Sequence, residues 1–236
     1  MAHKTEQAGT TRQRIVEAAR ALLQGENADF SMRALSDKAG VSSATPYNLF
    51  GSKDGIIAAL VDEDLKRLQA ALVGIDADPV EAFFKIVDIS AEIFTEAPAL
   101  YKAGSRIIGA GGASGGTDEA TRRSFHEPRF LVLRGLVADA IQAGAIDHRV
   151  NADTFAIQMG QQILSWILTW GNDQVELEEM RLRANYAIAV SLAGVATKAC
   201  RDAMQDRALE LQAELQKRDR MAFGLARPAG GRKATR

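Results

Sequence analysis

A single cysteine, Cys200, stands in 236 residues, so no internal disulfide can staple the fold. The N-terminal stretch MAHKTEQAGT lacks the apolar core of a secretion signal, and the expected location is the cytoplasm. Histidine is scarce as well. His126 and His148 stand apart from any Cys or acidic set at metal-ligand spacing, so no metal site is expected. There is no nucleophile with a neighbouring base, no suggestively spaced carboxylate pair and no phosphate-binding loop, which argues against an enzyme and implies no cofactor. An excess of positive charge is also missing, because 29 Lys and Arg face 30 Asp and Glu. Residues 1–60 carry seven basic against six acidic side chains. Any nucleic-acid partner must therefore be held by specific contacts and helix ends as much as by a diffuse field. Thr154 to Asn172 is free of charge, but Gln158, Gln161, Gln162 and Asn172 interrupt it. It reads as an internal or interface helix, and no membrane span is expected. The 47% hydrophobic content suffices for one large domain or two unequal ones.

The most informative stretch that is present is FSMRALSDKAGVSSATPYNLFGSK, residues 30–53. Ser31 can cap a short helix with Met32, Leu35 and Ala39 facing a core. Gly40 can end it in a left-handed turn. Ser43 is placed as the next cap, because Pro46 then occupies a position that needs no N–H. That second helix offers Ala44, Thr45, Tyr47 and Asn48 outward and Leu49 and Phe50 inward, the layout of a helix-turn-helix whose second helix enters the major groove. Asn48 can pair bidentately with adenine and is the favoured base reader. Upstream, Thr10-Thr11-Arg12-Gln13 suggests the start of a first helix running to about Gly25. Downstream, Ser52 caps another helix, with Lys53 at a helix end that favours phosphate.

Residues 11–60, and AGVSSATPYNLFGSK above all, resemble the N-terminal domain of the TetR family of transcriptional repressors. Pro46 and Gly55 depart from the family pattern. The resemblance implies that Ser31, Arg33, Thr45, Tyr47 and Lys53 contact phosphates or bases, that Ser43, Ala44 and Asn48 face base edges, and that Arg12 touches the DNA backbone. For Ser31 a role as cap alone stays open, and Tyr47 could instead pack inward.

The remainder reads as helices. Asp78-Pro79 opens one, a second runs from Pro98 to Ile108, and the glycine-rich run 109–116 interrupts, as a surface connection or a lid over a ligand entrance. A third spans Glu119 to Ala143, closed by Gly144. Asp153 to Trp170 carries the stripe Phe155, Met159, Gln162, Trp166 and Trp170, and Tyr186 to Ala199 is small and apolar. A self-complementary dimer contact is expected there, through Ile163, Ile167, Ala184, Ala187, Ser191 and Gly194. Core packing is the plain reading of the aromatic stripe. A ligand pocket would use Met159, Gln162 and Trp166 and, on the topology the resemblance implies, Phe94, Tyr101 and Phe130.

The expected architecture is all-α: an N-terminal three-helix helix-turn-helix DNA-binding domain plus a larger helical ligand-binding and dimerisation domain. Its divisions are an arm at 1–10, the DNA-binding domain at 11–53, the ligand and dimer domain at 54–200, an extra helix at 201–222 and a disordered basic tail at 223–236. The partners implied are double-stranded DNA, a second copy of the chain, and a small hydrophobic or aromatic effector that releases a palindromic operator. A constitutive DNA-binding dimer or adaptor without effector remains the alternative.

Overall fold

The computed structural model describes residues 2–23, 30–72, 78–110 and 119–223. These form ten helices in chain order: α1 (Ala2–Leu23), α2 (Met32–Ala39), α3 (Ala44–Phe50), α4 (Lys53–Leu72), α5 (Glu81–Glu96), α6 (Pro98–Ala110), α7 (Glu119–Gln142), α8 (Ala152–Gly171), α9 (Leu177–Val195) and α10 (Lys198–Phe223). The described residues contain no strand, and one isolated antiparallel bridge joins Ile146 to Ala196. The fold is all-α, as the periodicity implied. Of the glycine-rich run 109–116, Gly109 and Ala110 end α6; its remainder, within 111–118, and the tail beyond residue 223 lie outside the described residues.

Helix starts follow local chemistry. Asp78 accepts the Val80 N–H at 2.8 Å, Ser52 accepts that of Gly55 at 3.1 Å, and Asn151 accepts that of Thr154 at 2.9 Å. Each satisfies a donor that the first turn would leave unpaired. α1 departs from expectation. It runs from Ala2 through Thr10–Gln13 without a new start, because Ala, Lys, Glu and Gln before that point are good helix formers and offer no reason to stop. α9 also begins earlier than expected, at Leu177, where Glu178 and Glu179 occupy the first turn and pair with Arg181 and Arg183 one turn on. It ends at Val195 because Ala196 is extended. There Asp147 donates its N–H to Val195 (3.0 Å) and Thr197 donates its own to Ala145 (2.9 Å), a constraint from a distant loop.

The core is continuous from one end to the other. Ile15, Ala19 and Leu35 at the N-terminal end, Ile56 and Leu60 on α4, and Phe83, Leu100, Met159 and Ile188 beyond are almost completely buried in one cluster. α4 thus joins the small N-terminal helices to the larger bundle by apolar burial, at ~25 cal/mol per Å² of area removed from water.

Candidate functional site

The first two dozen residues after Phe30 build a tightly constrained helix pair. Ser31 Oγ accepts the Ala34 N–H at 3.0 Å, so its oxygen serves as a cap while the residue stays exposed. Gly40 adopts φ 62°, ψ 43°. Its N–H reaches the Asp37 carbonyl at 3.2 Å and that of Val41 reaches Ser36 at 3.0 Å, closing α2 as a left-handed cap. Arg14 of α1 donates to the carbonyls of Ala39 (2.5 Å) and Gly40 (3.0 Å), setting a cation at the negative helix end. No sequence motif flagged Arg14, since only the fold brings it to that turn.

α3 starts differently from the sequence expectation. Ser43 is itself in helical conformation and makes no side-chain cap. Pro46 has no N–H to donate, so the Ser42 carbonyl takes the Thr45 N–H instead, at 3.0 Å. The Ser42 and Thr45 hydroxyls share a hydrogen bond at 2.7 Å. Pro46 is buried, Leu49 and Phe50 pack against the core, and Ala44, Tyr47 and Asn48 are exposed on one face. Tyr47 is 52% exposed, unusual for a large aromatic side chain with an inward alternative. Arg33, Ser43 and Tyr47 border one depression between α2 and α3, shared with Asp37. Lys53 lies 4.9 Å over the Phe30 ring. Arg12 stacks 4.3 Å over Phe50 and reaches the Leu49 carbonyl at 3.4 Å, which anchors the end of α3.

A second feature lies in the larger bundle: a cavity of about 710 Å³ between α4, α5, α6, α7 and α8. That size suits a small organic ligand. Its walls are mainly aliphatic. Phe94, Tyr101 and Phe130 line it, and α8 faces it with Ala156, Gly160, Ile163 and Ile167. The other α8 residues singled out for a pocket sit on the adjoining face. Met159 is fully buried, Gln162 accepts a hydrogen bond from Ser191 on α9 at 2.8 Å, and Trp166 lies beneath the Arg183 guanidinium at 5.3 Å; none of the three lines the cavity. Large side chains fill space, whereas the short Ala156 and the bare Gly160 leave it open. Trp170 stacks on Phe94 with centroids 5.2 Å apart, and Phe94 meets Tyr101 at 4.5 Å, which fixes that wall.

Among the described residues one charged group reaches the cavity wall. Asp64 of α4 is 2% exposed and receives both terminal guanidinium nitrogens of Arg20, at 3.0 and 2.9 Å, together with Arg67 at 3.2 Å and the Tyr101 hydroxyl. Burial, followed by the hydrogen bond to Asp64 and its charge, pushes Tyr101 far above the usual phenol range. Arg20 lies on α1, so this cluster ties the N-terminal domain to the cavity.

A family model described as bacterial regulatory proteins, tetR family, matches residues 15–60. Those are the residues that build the helix pair. Residues 15–60 form a TetR-family N-terminal domain. Solved structures agree in fold. A TetR transcriptional regulator from Rhodococcus sp. RHA1 is 20% identical with TM-score 0.60, over 78% of this chain and 97% of that one. Thermus thermophilus FadR, a TetR-family repressor in complex with lauroyl-CoA, is 16% identical with TM-score 0.59, over 79% and 96%. RolR in complex with resorcinol is 14% identical with TM-score 0.57, over 86% and 95%. A search of curated proteins finds no significant match.

Around this TetR-family domain the two departures from the family pattern have local consequences. Pro46 shifts the first hydrogen bond of α3, as above. Gly55 lets α4 approach the end of α3, since a Cβ there would lie 2.1 Å from the Phe50 carbonyl oxygen. In the larger bundle α9 is partly covered by α10, where Arg183 binds Asp219 at 2.6 Å and Tyr186 meets Gln212 at 3.4 Å. Ala184 is fully buried within its own subunit, and Ile163 and Ile167 face the cavity. Ile163 and Ile167 are half-buried. Ala187 and Ser191 are half-buried, and Val190 and Gly194 are exposed.

Proposed function

We propose that the chain is a homodimeric repressor whose hold on a near-palindromic operator is weakened when a small, largely apolar effector occupies the cavity. The observation that carries this reading is that α4 serves both sites. Its first turn, through Gly55, packs on the end of α3, and its middle contributes Val61, Asp64 and Leu68 to the cavity. An effector needs only differential affinity for two placements of α3, and a coupling of ~1–3 kcal/mol lowers operator affinity about five- to 150-fold.

Asn48 is assigned to base reading, with Ser43 and Ala44 at base edges. Ser31, Arg33, Thr45, Tyr47 and Lys53 are assigned to phosphate or base contacts. Two copies set their α3 helices about one DNA turn apart, ~34–36 Å. The dimer face is assigned to α8 and α9 where α10 leaves them open, around Ala187, Val190, Ser191 and Gly194. The ligand complexes of RolR with resorcinol and FadR with lauroyl-CoA support a small-molecule effector for this fold. No described helix is long and apolar enough to cross a membrane, and the proposed location is the cytoplasm, with no catalytic step.

Footprinting on DNA flanking the coding region tests the reading. Two protected half-sites about one turn apart are expected, lost on addition of a compound that raises the melting temperature. Absence of protection at low ionic strength would end it. Protection that no stabilising compound reverses would favour a constitutive DNA-binding dimer.

A further inference from the structure

The polar end of the cavity has a definite chemical sense. Asp64 and Tyr101 are its ionisable lining groups among the described residues, and neither Lys, Arg nor His lines it. Ser90 and Gln161 also line it, but the Ser90 hydroxyl already donates to the Ile86 carbonyl at 2.6 Å, and Gln161 is an exposed, uncharged amide. The Tyr101 hydrogen is committed to Asp64, which leaves the phenol oxygen able to accept.

The cations behind this wall are already occupied. Arg20 spans Asp64 and Glu63, the latter at 3.5 Å. Arg67 spans Asp64 and Glu96, the latter at 3.0 Å. Three carboxylates thus surround two guanidinium groups. An anion entering the cavity would shed its hydration beside a buried carboxylate, and among the described residues no cation lines the cavity to receive it.

We infer that the effector is recognised at its polar end by Asp64 and Tyr101 and is a donor-bearing molecule, an alcohol, phenol or amine on an apolar body, rather than an anion. This rests on the cavity being the effector site. The donor meets the Tyr101 oxygen first. Each Asp64 oxygen already has two partners: Oδ2 accepts from Arg20 and Tyr101, and Oδ1 accepts from Arg67 and pairs with the second terminal nitrogen of Arg20, so a donor that takes a place on Asp64 displaces a present partner. When that partner is Arg20, the tie from α4 to α1 is released, and recognition acts directly on the DNA-binding domain.

Calorimetry of the full chain with three probes that share an eight-carbon chain, 1-octanol, n-octylamine and sodium octanoate, tests the assignment. Octanol or octylamine is expected to bind at least about tenfold more tightly than octanoate, a difference of ~1.4 kcal/mol. Asp64→Asn should erase the preference for the amine. Tyr101→Phe, which keeps the ring in the wall and leaves Asp64 its guanidinium partners, should weaken octanol several-fold in a chain that still folds, so the question stands even if the Asp64 variant does not fold. Octanoate binding as tightly as the other two, failure of all three to bind the folded chain, or an unaltered preference in the folded variants would overturn the inference. An operator gel shift without any probe is run alongside. Loss of DNA binding there strikes the regulator reading, whereas a reversed head-group preference strikes only the donor assignment.

Discussion

Arg20 of α1 grips Asp64 of α4 through both terminal guanidinium nitrogens, at 3.0 and 2.9 Å, and the same carboxylate accepts the Tyr101 hydroxyl from α6. One buried anion therefore holds the first helix of the DNA-binding domain, the connecting helix and the cavity wall together. Arg20→Met keeps much of the aliphatic stem and removes the donors. It should cost ~1–3 kcal/mol in urea unfolding, because a buried acceptor loses its best partner. It should also shrink the ratio of operator affinities with and without effector. An unchanged ratio would place the coupling elsewhere.

Base reading and phosphate holding predict different losses. Asn48→Ala should cost ~1–3 kcal/mol on the preferred operator and relax the preference at one base pair. Lys53→Ala should weaken all sequences alike and reduce the salt slope by about one. Affinity measurements across single-base operator variants and salt concentrations separate the two.

Gly55→Ala would ordinarily strengthen a helix by up to ~1 kcal/mol. Here the added methyl meets the Phe50 carbonyl oxygen at 2.1 Å, so destabilisation of ~1–3 kcal/mol and weaker operator binding are expected. A higher melting temperature would show that α3 shifts without penalty.

Val190 is 47% exposed and belongs to the proposed dimer face. Val190→Glu should leave subunit stability within ~0.5 kcal/mol while shifting sedimentation toward monomer. Operator affinity should fall with it, because two linked half-sites bind far better than one. A variant that sediments as a dimer would remove this face from the assembly.

Tyr101 carries a pH signature. Its folded ionisation lies above that of the unfolded chain, because burial and Asp64 disfavour the phenolate. Above pH ~10 the unfolded chain loses a proton that the folded chain keeps, so stability is intact below that pH and declines as pH rises beyond it. Denaturant titrations between pH 9 and 11 should show a shallower decline for Tyr101→Phe than for the parent.

Much of the N-terminal domain was legible because its determinants are local. A capping serine, a glycine at a left-handed turn and apolar residues three or four apart act within one helical turn, so Ser31, Gly40 and Ser52 could be read directly from the chain. Pro46 was legible as awkward, but its effect on which carbonyl takes the Thr45 N–H required the actual dihedrals. Likewise α9 could not be ended correctly from periodicity, because Ala196 is held extended by residues some fifty positions earlier.

What this sequence determines by itself is helix, turn and the exposed slim face of α3, since each follows from contacts between near neighbours. Tertiary structure alone decided that Ala156 and Gly160 open a cavity while Met159 and Trp166 fill the adjoining face, and that Arg20, Asp64 and Tyr101 meet. A void is the place where side chains of five helices fail to touch, and a buried ion pair must offset its desolvation with partners from distant segments. Neither condition is written in any single stretch of chain.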